Sequence, residues 1–133
     1  MNRKIKTEFL KLAVGFFFVA NAVAQEWPRF RGLNGTGLSD AKGIPSKFNL
    51  SDANWRVALK GEGHSSPILW GDKVFVTGLD AKENLFHLQC LNATNGSELW
   101  LVSRAQSKFR THRYNLLVSS TPVTDGKLSL IHI

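Results

Sequence analysis

Two stretches of the chain carry nearly the same phrase. Ser65-Ser66-Pro67-Ile68-Leu69-Trp70-Gly71-Asp72-Lys73 returns as Ser120-Thr121-Pro122-Val123-Thr124-Asp125-Gly126-Lys127, one residue shorter before the turn. Each joins a short β-prone run to a Gly-containing turn, so each reads as the opening hairpin of a repeated unit. Gly71-Asp72 is a two-residue Gly-X loop, and Asp125-Gly126 carries the type I′ hairpin signal. An internal repeat of this kind restricts the chain to copies of one small β-module laid side by side.

The first copy continues as three further β-runs. Lys73 to Thr77 is rich in β-branched and aromatic residues. Leu85 to Leu91 alternates, with Phe86, Leu88 and Cys90 on one face and His87 and Gln89 on the other. Asn92-Ala93-Thr94-Asn95-Gly96 turns the chain, and Glu98 to Val102 starts a fourth run. Four short antiparallel strands with tight turns make one twisted sheet of about 40 residues, the size of a propeller blade. A small β-sandwich is the alternative that the pattern alone leaves open.

The turn Ala93-Thr94-Asn95-Gly96-Ser97-Glu98-Leu99-Trp100 resembles the signature of the pyrroloquinoline-quinone-like β-propeller repeat family. Gly96 supplies the positive φ of the turn. The resemblance implies that Trp100 lies flat between neighbouring blades and buries a large apolar area. Trp55 precedes Trp100 by one blade length and is expected at the same position of the preceding repeat. Gln25 to Ser39, QEWPRFRGLNGTGLS, resembles the lead-in of many exported propellers of this type. Trp27, Pro28, Phe30, Arg31, Gly32, Gly35 and Gly37 match that pattern, and Leu33 stands where the family carries Pro. The implied fold is all-β, quinoprotein-like and related in shape to WD40 and YVTN propellers. Its layout is a lead-in segment at 25–50, a clasp strand at 54–59, a blade at 64–102, a basic loop at 103–115 and the start of the next blade at 117–133.

Residues 1–24 are read differently. Arg3, Lys4, Lys6 and Lys11 precede an apolar run from Leu12 to Ala20, and Ala22-Val23-Ala24 follows. This is the pattern of a secretory signal peptide, with cleavage after Ala24 leaving Gln25 first. The run is too short to span a bilayer as a helix. The expected location is periplasmic or secreted, with no transmembrane segment after signal removal. Position 25 is Gln, so no lipidated Cys follows the leader. Removing Arg3, Lys4, Lys6, Lys11 and Glu8 lowers the net formal charge from +7 to +4. Nucleic-acid binding is therefore not expected from charge. The single cysteine, Cys90, excludes an internal disulfide and is expected as a small buried hydrophobe.

Few residues suggest chemistry. His64 beside Ser65 and Ser66 has no placed acid and no nucleophile elbow, so no catalytic residues are assigned. The glycines at 32, 35 and 37 have no strand before them and no helix after them, which excludes a phosphate-cradling loop. Asn34-Gly35-Thr36 and three later sequons would be chance matches in a bacterial protein. Ser103 to Asn115, SRAQSKFRTHRYN, holds Arg104, Lys108, Arg110, His112 and Arg113 without an acid. Arg104, Lys108, Arg110 and Arg113 are the candidate anion-binding set, for an acidic glycan or an acidic partner surface.

A closed propeller needs at least four blades, so the chain is expected to be the N-terminal part of a longer propeller. Leu128 to Ile133, LSLIHI, breaks the β-branched run expected there and resembles a non-native tail. An open fragment exposes strand edges and blade faces, both aggregation hazards. The expected function is a non-catalytic exported scaffold that binds a protein or glycan partner. The alternative is part of a quinoprotein dehydrogenase that oxidises an alcohol or sugar with pyrroloquinoline quinone and calcium. Such enzymes bring a vicinal cysteine pair, calcium-binding carboxylates and amides, and an Asp base. One cysteine cannot make that pair, so neither cofactor nor metal is assigned to this stretch.

Overall fold

A computed structural model describes residues 26–106 and 118–131. The described chain is mostly β. Its main element is a four-stranded antiparallel sheet in the order β1-β2-β3-β4, built from Ile68–Trp70, Lys73–Asp80, Leu85–Asn92 and Glu98–Ala105. A separate two-stranded ribbon pairs β5, Val123–Thr124, with β6, Ser129–Leu130. A single 3₁₀ turn, Leu50–Asp52, interrupts the lead-in.

The turn chemistry explains the sheet order. Trp70 pairs with Lys73 across the two-residue loop, and Gly71 has φ 56, the first-position conformation of a type II′ hairpin. At the β3–β4 turn, Asn92 Oδ1 accepts from the Thr94 and Asn95 amides at 2.8 and 3.2 Å. Gly96 then takes φ 73 and donates to the Asn92 carbonyl at 2.8 Å. The register shifts between Cys90 and Leu91, opposite the start of β4.

Strand pairing sorts the side chains into two faces. Ile68, Phe75, Cys90 and Trp100 lie across from one another, as do Thr77, Leu88 and Val102. This face holds the apolar cluster of Ile68, Phe75 and Cys90, with Trp70 and Leu88 packed against it. Cys90 is 0% exposed, as its place in the alternation predicts, and burial pushes its thiol pKa up. The opposite face carries His87 and buried Gln89, whose Oε1 accepts from the Lys60 amide at 2.7 Å. Gly78 is required here because a Cβ would run into the Lys60 carbonyl.

Several boundaries differ from those the sequence suggests. Strand β2 runs through Gly78 to Asp80, because the Gly78 that reads as a breaker is a close-approach site inside the ladder. Strand β4 extends to Ala105, so Ser103 and Arg104 belong to the sheet and not to a loop. Residues 54–59, the expected clasp strand, join no ladder among the described residues, and the first bridge after them is Glu62 with Leu79. Trp55 Nε1 ties the segment to the Ala93 carbonyl, and just past its end the Lys60 amide bonds Gln89 Oε1. The second hairpin has four loop residues between Thr124 and Ser129 instead of a type I′ pair. Asp125 closes that loop by accepting from the Lys127 and Leu128 amides at 2.9 and 2.8 Å.

The lead-in is anchored at its beginning. Trp27 and Leu69 exchange two backbone bonds of 2.9 Å, which extends the outer edge of β1 by one bridge. The next residue, Pro28, accepts from the Thr124 amide at 2.9 Å. Gly32, Gly35 and Gly37 take φ 77, 72 and 77, and Arg31 takes φ 62. These left-handed residues wind the segment into turns without the Pro expected at Leu33.

Candidate binding surface

The three residues expected to pack blades separate into two places. Trp55 lies on the turn at Gly96, where a Cβ would stand 2.5 Å from Trp55 Cε3. Its indole Nε1 donates to the Ala93 carbonyl of the same turn at 2.8 Å. Trp100 does not join them. It remains 39% exposed and meets Phe75 at 5.8 Å between ring centroids, tilted 55°. The large burial expected of Trp100 is thus only partly achieved, because β4 is an edge strand with no neighbour beyond it among the described residues.

Trp100 instead lines a cleft of about 330 Å³ with Trp70, Lys73, Phe75, Thr124 and Lys127. The floor is the apolar face of the sheet and one wall is the second hairpin. Trp70 closes one end against Gly126, where a Cβ would come within 2.5 Å of its ring. Lys73 at the rim is paired with Asp72 at 2.7 Å. That exposed pair lowers the Asp72 pKa and raises that of Lys73, through their mutual hydrogen bond and charge. Arg104 sits farther along the same face, beside Phe86, Leu88 and Val102. It is the one member of the candidate anion set within the described residues. Lys108, Arg110 and Arg113 lie outside them, as do the cleavage-site residues Ala22, Ala24 and Gln25.

One polar contact escapes sequence reading. His87 Nδ1 and Ser103 Oγ are 2.9 Å apart across β3 and β4. The signal for it was the pairing register, which places these two residues opposite each other. An imidazole and a hydroxyl can share a proton, but catalysis needs an acid to orient the ring. Asp80, on the neighbouring strand, spends Oδ1 on the Lys82 and Glu83 amides at 2.9 and 3.1 Å. Those bonds hold its carboxyl pKa down. The pair serves as a cross-strand link.

His64 is exposed on the loop before β1. No group of three His, Cys, Asp or Glu among the described residues could hold a metal ion. No helix among them is long and apolar enough to cross a membrane. Comparison with protein-family models, curated proteins and solved structures returns no match for this chain.

Proposed function

We propose that this chain is part of an exported β-propeller of the pyrroloquinoline-quinone-like repeat type, acting as a binding or assembly scaffold. The observation that carries this reading is the way the two repeats meet. Ser66 and Thr121 are equivalent positions of the echoed phrase, and the Ser66 amide donates to Thr121 Oγ1 at 3.0 Å. Gly63 and Val118 are equivalent too, and a Cβ on Gly63 would stand 2.8 Å from Val118 Cγ2. Leu69 and Thr124, again equivalent, bond to the consecutive residues Trp27 and Pro28. Equivalent positions lying side by side or sharing one neighbouring segment is what stacked copies of one module produce. The seat of Trp55 on the Gly96 turn supports the same arrangement, with a tryptophan before the sheet packed on the turn within it.

For the scaffold role, the support is the character of the surface. The cleft beside Trp70 and Trp100 is aromatic and rimmed by lysines, which suits a glycan or a partner surface better than a redox group. A quinone site needs basic groups converging on a ring held between flat side chains. Among the described residues Trp70 is committed to Gly126 and Trp100 leans on Phe75, so the residues present do not fit that group. Calorimetric titration with pyrroloquinoline quinone and calcium tests the reading. No saturable uptake is expected. Saturable uptake that disappears on neutralising Arg110 and Arg113 would replace the scaffold with the dehydrogenase.

A further inference from the structure

Strand β4, Glu98–Ala105, is the free edge of the sheet: β3 pairs with one side and no strand among the described residues pairs with the other. Long edges are normally guarded by lysine, proline, bulges or brevity. This one is eight residues long and has no Lys or Pro. Its one irregularity, opposite Cys90 and Leu91, lies before Trp100 and leaves the rest regular. Leu99, Trp100 and Val102 are 43%, 39% and 44% exposed along it. No carboxylate among the described residues pairs with Arg104.

We propose that β4 is a self-pairing edge, on which a second copy of this chain docks β4 antiparallel about a two-fold axis at Val102. The order of side chains selects both the occupant and the register. Trp100, Val102 and Arg104 lie opposite Cys90, Leu88 and Phe86, so all three point to one face. Mirroring the strand about Val102 sets Val102 against Val102 of the second copy. It also sets Trp100 against Arg104 of the second copy, twice by symmetry. A guanidinium across from an indole is an attractive cross-strand pair, and here it gives Arg104 a partner where no carboxylate among the described residues pairs with it. A register centred on Leu101 would instead need Glu98 opposite Arg104. The bulge defeats that, because Glu98 turns towards Gln89 on the other face and accepts from its Nε2 at 3.0 Å. The two-fold contact closes on itself and makes one continuous eight-stranded sheet.

Light scattering on the eluting protein and a cysteine crosslink test this. The protein purified from its expressing cells should elute as a dimer. Val102→Lys places like charges opposite each other at the axis and should abolish the dimer, while the circular dichroism, and the urea midpoint measured at a concentration too low for the wild type to dimerise, stay unchanged because Val102 is half-exposed. Val102→Cys should form an intermolecular disulfide on air oxidation and Leu101→Cys should not, since only position 102 meets itself; Cys90 is buried and cannot substitute. A monomer throughout the concentration series overturns the proposal. So does crosslinking through Leu101→Cys in place of Val102→Cys. A monomer whose Leu99–Ala105 amides resist hydrogen exchange overturns it as well, by showing that another segment covers the edge.

Discussion

Gly96 carries two constraints at once. Its φ of 73 is left-handed, and its Cα faces the Trp55 ring at a distance that leaves no room for a methyl group. Gly96→Ala therefore combines left-handed strain of about 1–2 kcal/mol with overpacking of about 1–3 kcal/mol. Urea denaturation should show a loss of about 2–5 kcal/mol, and a loss of only about 1–2 kcal/mol, the backbone strain alone, would mean that Trp55 is not seated on the turn. Trp55→Phe keeps a ring on the glycine but removes the Nε1 bond to the Ala93 carbonyl. Its expected cost is about 1 kcal/mol. The sequence shows Gly96, Trp55 and Trp100 as the packing residues, and the spacing of the two tryptophans invites an equal role for them. The structure gives them different ones. A tryptophan packs on whatever crosses it, and of these two Trp55 has a turn on its ring among the described residues while Trp100 does not. The signal for that partnership is local geometry at Ala93 and Gly96, which spacing cannot express.

At the level of strands and turns, the first hairpin and the alternation of β3 were legible because turn residues and period-two burial are local. Strand ends were not. Gly78 looks like a stop until the Lys60 carbonyl is seen to need its missing Cβ, and Arg104 looks like loop because charge is read as solvent. The segment at 54–59 has strand-like composition, yet a strand requires an open ladder beside it, which composition does not report. The turns also set the acid response. Asp80 and Asp125 each accept two backbone N–H bonds, which hold their carboxyl pKa values below the ordinary range. The folded state thus binds these protons less readily than the unfolded state. Their stabilisation is complete above the unfolded carboxylate pKa, about 4, and is lost as pH falls through the lower folded values. The urea midpoint should be flat from neutral pH down to roughly pH 5 and then decline on this linkage. Asp80→Asn and Asp125→Asn together should flatten the decline, since an amide oxygen still accepts but does not titrate. An unchanged acid limb in the double variant would assign the sensitivity to other carboxylates.

Across the whole molecule, the lead-in bridges two hairpins that also touch directly, through Ser66 and Thr121 and through Trp70 and Gly126. Its bonds fall on Leu69 and Thr124, the same position of each copy. Deleting residues 26–37 should therefore raise hydrogen exchange at both amides together, with β2 and β3 kept as protected as before. Faster exchange at Leu69 alone would show that the lead-in serves one hairpin. The echo of the two phrases was visible in the sequence, but their contact through a third segment was not, because the lead-in has no periodicity to read. That third segment also orders events in time. Trp27 leaves the ribosome early and can bond Leu69 as soon as the first hairpin emerges. Pro28, one residue later, has to wait for Thr124, near the other end of the described chain. That closure waits for Thr124 to be made and pairs residues far apart in sequence, so it falls after the four-stranded sheet has had time to form. Maturation of this chain should consequently show a fast phase for the sheet and a late phase in which the N-terminal strap seals the second hairpin.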